Sequence, residues 1–458
     1  MKIVFLECLT FAIREIRINS SLFSHLVVIT SVWPPMDMDK CEDELQERFR
    51  GCMLGAVLGD CLGGPLEFKN GNNSFPFSRL KREFRLYDAW EPERDGVLEF
   101  TDDTAMARQL AYSLLETRTH LDPRNLARRF VDEYHREQGR GYGEAVTEVF
   151  EKLHKSDCRD PYGPAKEQFK TEGSFGNGAA MRVHPVAMFC HGRSRTELLE
   201  MADASARITH SHQLGVRGAQ LQAYAVSMAL DGVDSKAFLA NMLELVESFS
   251  EDPKSKHTYR YKFEIMRKAL ATKNDDLAIA LGNGVAALHS VPSAIFSFLR
   301  AQSPIEQLRD SSRFVRTVQL AISFGGDTDT IGSMAGAMAG AYYGEVDVPE
   351  NFLDVCEGVY DAIKQADGLV KLVRENLDSD VSEPIVKRIK IEVQEIEVKP
   401  DINPELLKPE PEDIKPDVIK SELKPSASKS KEDVVEPDSA LDNDTTDSAI
   451  DIKHNIVK

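Results

Sequence analysis

The stretch Ile331–Gly344 reads IGSMAGAMAGAYYG, and few architectures can accommodate it. Wound as a helix, it sets Gly332, Ala335, Gly336, Ala339 and Gly340 on one face, because residues three and four apart are neighbours. That face is almost free of side chains. A glycine inside a helix costs about 1 kcal/mol relative to alanine, so such a helix must be held by tertiary packing. The smooth face admits another helix at close range. The pattern therefore predicts a central helix. Just before it, FGGDTDT supplies Asp327, Asp329 and Thr330 at its N-terminal end, where backbone N–H groups lack helical partners.

Two more acidic clusters occur at similar junctions. Glu67 lies in GDCLGGPLEF, and Asp102 and Asp103 lie in FTDDTAMA, beside Thr101. Taken singly, each is an ordinary helix cap or turn. Taken together, they offer the oxygen-rich shell that a hard cation such as Mg²⁺ requires. His210 and His212 in THSH lack a cysteine or third histidine at matching spacing, which argues against a transition-metal site. His184 and His289 read as structural, Cys52 and Cys61 as packed thiols, and Gly282–Gly284 as a turn.

Helical patterning continues from about Glu42 to Leu377, with weak strand signals and no βαβ alternation. DELQERFRGCMLGAVLGDCLGG runs from helical spacing into small residues. TDDTAMARQLAYSLLE has Thr101 or Asp102 as N-cap. RTELLEMADASARITH, VRGAQLQAYAVSMALDG and DVCEGVYDAIKQADGLVKLVREN are further predicted helices. The expected organisation is all-α: an extension over 1–41, one compact helical domain over 42–377, and a tail over 378–458. The extension is apolar with scattered Lys2, Arg14 and Arg17, and Glu7 interrupts its core. It reads as a segment without a role in the fold, with Met36 or Met38 as an alternative start, or as a mitochondrial presequence. No stretch has the ~18 apolar residues of a membrane span.

Beyond Tyr360 there is no aromatic residue, and the tail is acidic and rich in proline. Such a composition buries too little apolar surface to offset its ordering entropy, so disorder is expected. The tail repeats an aliphatic-Lys-x-acid pattern at Lys390, Lys399, Lys408, Lys415 and Lys420, resembling the consensus for attachment of small ubiquitin-like modifiers. The formal charge of −19 argues against direct DNA or membrane binding. Seven cysteines without a CxxC pair suit a reducing compartment. Nucleus and cytoplasm are the expected locations, with the mitochondrial matrix left open by residues 1–35. A monomer is the default.

Six separated motifs occur in order: GAVLGDCLGGPLEF, FTDDTAMA, EGSFGNGAAMRVHPVA, THSH, LGNGVAALHSVPSA and FGGDTDTIGSMAGAMAGAYYG. Together they resemble the ADP-ribosylglycohydrolase family over roughly residues 45–375. The resemblance implies an all-α fold with two Mg²⁺ ions in a cleft. It implies metal ligands at Thr101, Asp102, Asp103, Asp327, Asp329 and Thr330. Glu67 matches a glutamate beside the metals, with Asp102 and Asp103 also counted as catalytic. The substrate loop corresponds to Glu172, Gly173, Ser174, Phe175, Gly176, Asn177 and Gly178. Phe169 and Phe175 would stack on adenine or pack against ribose. His210 would contact the phosphate or ribose region, and Val285 would line the adenosine pocket.

Threonine in GGDTDT, where arginine-specific relatives tend to carry serine, points to the branch cleaving O-linked ADP-ribose. Its substrates would be serine-linked ADP-ribose on proteins, poly(ADP-ribose) and O-acetyl-ADP-ribose. Relatives often carry tyrosine in place of Phe175, so a hydroxyl is absent here. An ADP-ribosyl-arginine hydrolase, a silent ADP-ribose-binding module and a structural role like that of crystallin relatives are the alternatives.

Overall fold

The structure is a computed structural model and describes residues 38–87, 92–252, 254–309 and 311–382. The extension before Met38, the tail beyond Ser382 and its five lysine patterns lie outside the described residues, whereas residues 378–382, expected to begin the disordered tail, continue the last helix. The chain separates into two units at Asp378. The first holds every helix among the described residues, apart from the last turn of the final one.

Eight helices frame the domain: α1 (Met38–Gly63), α2 (Asp102–Thr117), α3 (Arg195–Ala206), α4 (Gln213–Leu230), α5 (Ala287–Ala301), α6 (Arg313–Ser323), α7 (Thr328–Tyr343) and α8 (Val359–Ser382). Other helices link them, and a four-residue strand, Lys69–Asn72, follows α1. Both edges expected for the domain, 42 and 377, fall inside helices. Pro34 and Pro35 precede α1, and Pro384 follows α8.

The glycine helix is the axis of the domain. α7 is buried from Thr328 to Ala341, and packs against α1, α4, α5 and α6. Against α1 it packs backbone to backbone. Gly51, Gly55, Gly59 and Gly63 of α1 face Gly340, Gly336, Gly332 and Thr328–Asp329 of α7 in antiparallel order. A Cβ on Gly332 would sit 2.6 Å from the carbonyl oxygen of Gly59, and one on Gly63 would sit 2.6 Å from Cα of Asp329. The seam thus excludes any side chain. It also brings the C-terminal end of α1 to the N-terminal end of α7.

Capping follows chemistry visible in the sequence. Thr101, rather than Asp102, is the N-cap of α2, accepting a hydrogen bond from the Asp103 N–H. Ser194 and Glu197 form a capping box at the start of α3. One expected helix is broken. DVCEGVYDAIKQADGLVKLVREN divides into Glu350–Val355 and α8, with Gly358 at φ +84° between them. Leu98 N–H donates to the Val355 carbonyl (2.7 Å), and Glu357 N–H donates to the Leu98 carbonyl (2.9 Å). These tertiary bonds outweigh local helix propensity.

Candidate metal and substrate cleft

The glycine seam ends in carboxylates. Asp327 is the N-cap of α7, but its side chain makes no capping bond, so its oxygens remain directed elsewhere. One carboxylate oxygen each from Glu67, Asp327 and Asp329 lies within 4.8 Å of the others. Glu67 follows the turn Gly64–Leu66 and is half-buried, whereas Asp327 and Asp329 are buried. The Glu67 loop is fastened to the same end of α7, since Phe68 N–H donates to the Gly326 carbonyl at 2.9 Å. Gly325 and Gly326 adopt φ +70° and +66°, which lets the chain turn sharply into α7.

α2 supplies the opposing wall. Thr330 Oγ1 donates to Asp103 Oδ2 at 3.1 Å, joining the two clusters, and Thr101 Oγ1 lies 3.3 Å from the same oxygen. Beneath them stands Asp60, fully buried on α1. Its carboxylate accepts from the backbone N–H groups of Thr101 and Thr104 and from both hydroxyls, at 2.6–3.2 Å. Asp60 therefore fixes the first turn of α2. A second brace comes from Arg140. Its carbonyl accepts from Asp102 N–H at 2.7 Å, while its guanidinium pairs with Glu357 at 2.6 and 2.8 Å. The guanidinium also lies 3.8 Å from the centroid of the Phe100 ring.

Sequence reasoning missed Asp60, although it stands within GDCLGG. The available signal was an ionisable side chain inside an otherwise apolar helical run. Such a residue is rarely buried without partners.

Crowding dominates the electrostatics. Burial, followed by the charges of Asp60, Asp327 and Glu67, pushes Asp102 up to about 8. Burial and the neighbouring carboxylates hold Asp103 and Asp329 well above the usual carboxylate range. Burial raises Asp327 and Asp60 as well, against hydrogen bonds that favour their charged forms. Among the described residues, no ion pair engages Asp102, Asp103, Asp327 or Asp329. Asp103 Oδ1 is buried without a hydrogen bond. An excess of anionic oxygen with an orphaned carboxylate atom fits a hard divalent cation. Glu67, Thr101, Asp102, Asp103, Asp327, Asp329 and Thr330 are the residues that would hold it.

The glycine loop expected to meet substrate lies against this cluster. Asn177 Nδ2 donates to Asp327 Oδ2 (2.6 Å) and to Ser290 Oγ (3.0 Å). Its backbone N–H donates to the Val285 carbonyl (2.9 Å), and Ala287 N–H donates to the Phe175 carbonyl (3.0 Å). The two GNG segments are thus paired across a short bridge. The second is more than a turn, because Asn283 accepts from Asp327 N–H through its backbone carbonyl (2.9 Å). Its side chain also bridges the carbonyls of Asn72 (2.8 Å) and Phe324 (2.7 Å).

Gly173 is buried, Ser174 Oγ accepts from Gly176 N–H at 3.2 Å, and Glu172 is exposed. Phe169 and Phe175 are 45% and 40% exposed with ring centroids 6.2 Å apart, an unusual amount of aromatic surface for water to cover. Val285, 36% exposed, directly follows the second GNG segment, Gly282–Gly284. Phe169, Lys170 and Thr171 adopt φ values of +49°, +57° and +77° in succession. Strain of this kind costs about 1–3 kcal/mol per residue and persists where surroundings impose it. His210 is buried against Gly176 and Gly178. His212 instead caps α4 through Nδ1, accepting from Leu214 N–H at 3.1 Å. Burial lowers His184 to about 4, in keeping with a structural role.

A helical domain that closes a buried carboxylate cluster beneath a paired glycine loop defines a narrow class, suited to holding a cation beside an anionic ligand. A family model described as ADP-ribosylglycohydrolase matches residues 42–379, and the chain belongs to that family. Proteins named ADP-ribosylhydrolase ARH3 from Homo sapiens and Gallus gallus are 40% and 39% identical to it. The alignments span 68% and 72% of this chain and 89% and 94% of theirs. An uncharacterized Escherichia coli protein, YegU, is 32% identical over 65% of this chain and 88% of its own length. A solved structure described as an ADP-ribosylglycohydrolase-related protein complex aligns with a TM-score of 0.53 at 24% identity. It covers 72% of this chain and 99% of that one, and it shares the fold.

Proposed function

We propose that this chain is an Mg²⁺-dependent hydrolase of O-glycosidic ADP-ribose linkages. Its substrates are ADP-ribosyl-serine on proteins, poly(ADP-ribose) and O-acetyl-ADP-ribose, and it holds two ions. The observation that carries this reading is the convergence of Glu67, Asp327 and Asp329 within 4.8 Å, next to the Asn177 loop. Similarity to proteins named ADP-ribosylhydrolase supports the substrate class. An anionic diphosphate could not approach so acidic a cleft unless cations neutralised it.

Cleavage at the anomeric carbon requires a placed water, a stabilised sugar cation and a proton for the departing serine oxygen. A divalent cation supplies electrophilic stabilisation and acidifies water. The chain's own residues do the remainder. Asp102, Asp103, Asp327 and Asp329 would hold the cations, which would supply that chemistry at the ribose end of the substrate. The glycines of 173–178 let backbone N–H groups approach the diphosphate closely. Phe169 and Phe175 cover the adenine and exclude water. Glu67, at the rim, takes the proton from the attacking water or gives it to the leaving oxygen.

Matched serine-linked and arginine-linked ADP-ribosyl peptides test this directly. Release of ADP-ribose from the serine peptide alone, with Mg²⁺ and not with EDTA, is the expected result. Release from arginine would replace the linkage assignment. Tight ADP-ribose binding without release from either peptide would favour a binding module.

The metal assignment also predicts how stability varies with pH. Asp102, Asp103, Asp327 and Asp329 have folded-state pKa values raised above their unfolded values of about 4. Raised groups add their full stability to the metal-free protein below those unfolded values, and lose it progressively as pH rises through the folded ones. For Asp102 that window extends to about 8. Mg²⁺ removes the repulsion that grows over the same range, and protons compete with it less. The rise in melting temperature on adding Mg²⁺ is expected to be small at pH 5 and largest near pH 8. A shift that shrinks with rising pH would contradict the ligand set.

A further inference from the structure

Arg182 is fully buried, and among the described residues no ion pair engages it. A buried guanidinium without a counter-charge is costly to desolvate, so its placement needs a reason. Its hydrogen bonds run to the Gly178 carbonyl, to the Ser205 carbonyl (3.0 Å) and to Thr209 Oγ1 (2.9 Å). Its Nε is unpartnered, and its Cζ lies 4.9 Å from the centroid of the Phe130 ring. Burial lowers its pKa to about 9, against the opposing pull of Asp102, so it is cationic at neutral pH.

Thr209 is also fully buried. Its hydroxyl accepts from Arg182 and lies 2.7 Å from His210 Nδ1. A threonine hydroxyl has one proton, and a guanidinium cannot accept it. Among the described residues Thr209 Oγ1 has no other acceptor in reach, so its buried proton is satisfied only by donation to Nδ1, which makes Nδ1 an acceptor and leaves the ring's own hydrogen on Nε2. That nitrogen lies under the glycine loop: a Cβ on Gly176 or Gly178 would come within 3.3 Å of it. Nε2 takes no other hydrogen bond among the described residues. Burial holds His210 neutral, its pKa lowered to about 3.

We propose that Arg182 and Thr209 are positioning residues that lock His210 as its Nε2–H tautomer, so that it presents a fixed neutral donor to the diphosphate of the ligand. The Arg182 charge lies beneath the same loop through Gly178, and adds a favourable field for that anion. The identity of the anion rests on the function proposed above, whereas the tautomer does not.

The experiment compares full-length wild type with Thr209→Val, which keeps the shape and loses the hydroxyl, and with Thr209→Ser, which restores it. ¹⁵N spectra of histidine-labelled protein without ligand are expected to show His210 as Nε2–H in wild type and T209S, and mixed in T209V. Titration with ADP-ribose in Mg²⁺ should show Kd raised about tenfold in T209V and near wild type in T209S, the scale of one hydrogen bond to a charged group. Melting temperature reports on folding separately. An Nδ1–H tautomer in wild type overturns the relay, and needs no variant to fold. Unchanged affinity in a folded T209V overturns its role in binding. Failure of wild type to bind ADP-ribose, with the Nε2–H tautomer observed, removes the proposed function and the diphosphate assignment while leaving the tautomer relay standing.

Discussion

Replacing Asp329 with asparagine is expected to reduce turnover of a serine-linked ADP-ribosyl peptide by about a thousandfold, equivalent to about 4 kcal/mol of transition-state stabilisation. Asp329 is in the first turn of α7, buried, and within 4.8 Å of Glu67 and Asp327 through carboxylate oxygens. Asparagine keeps the volume and one oxygen while removing the charge that would bind the cation. Its effect on folding should be slight or favourable in the metal-free protein, because one member of a mutually repelling set is gone. The decisive pair of measurements is single-turnover rate at saturating Mg²⁺ and metal affinity by calorimetry. A variant that bound Mg²⁺ like wild type and kept its rate would exclude Asp329 as a ligand. Since raised carboxylates also arise in purely structural clusters, the joint loss of affinity and rate is the informative outcome.

The second large effect is expected at Gly336→Ala. Alanine is the best helix former, and on propensity alone the change would stabilise α7 by about 1 kcal/mol. The seam reverses the sign. A Cβ on Gly336 would overlap the carbonyl oxygen of Gly55, and neither helix can retreat without disturbing the packing of α7 on α4, α5 and α6. Overpacking of backbone against backbone should cost about 3 kcal/mol, the upper end of the usual range. Chemical denaturation would measure it. Gly340→Ala should behave alike, since its added Cβ would strike the Gly51 carbonyl. Gly71→Ala is the control for space: nothing lies within 4 Å, and any cost comes only from its φ of +56°. A neutral or stabilising Gly336→Ala would mean that the two backbones have room to separate.

The sequence revealed the axis of the fold because glycine spacing is itself a packing instruction. Gly332, Gly336 and Gly340 imply a partner that comes close, though they do not say which helix. Gly51, Gly55 and Gly59 carry the same four-residue spacing, and pairing the two stripes would have named the partner. The acidic clusters were legible because carboxylates beside glycine and threonine stand out against apolar runs. Asp60 was not, since its role depends on Thr101 and Thr104, some forty residues away. The break at Cys356–Gly358 was hidden for the same reason: the bonds that make it reach back to Leu98. Local chemistry narrowed the α2 cap to Thr101 or Asp102 because a cap and its partner are within three residues of each other.

A stripe that repeats every four residues has a consequence beyond close approach. Sliding α1 along α7 by one repeat would bring glycine against glycine again over most of the seam, while moving the two ends about 6 Å apart. The stripe is therefore nearly degenerate in register, like a ruler whose marks are unnumbered. What numbers it is at the carboxylate end. Thr328 Oγ1 donates to the Gly63 carbonyl at 2.9 Å, and Phe68 N–H donates to the Gly326 carbonyl. Both bonds exist in only one alignment. The residues that bracket the cleft thus also act as the stop that sets the helices in phase, and assembly of the chemistry and selection of the native register are one event.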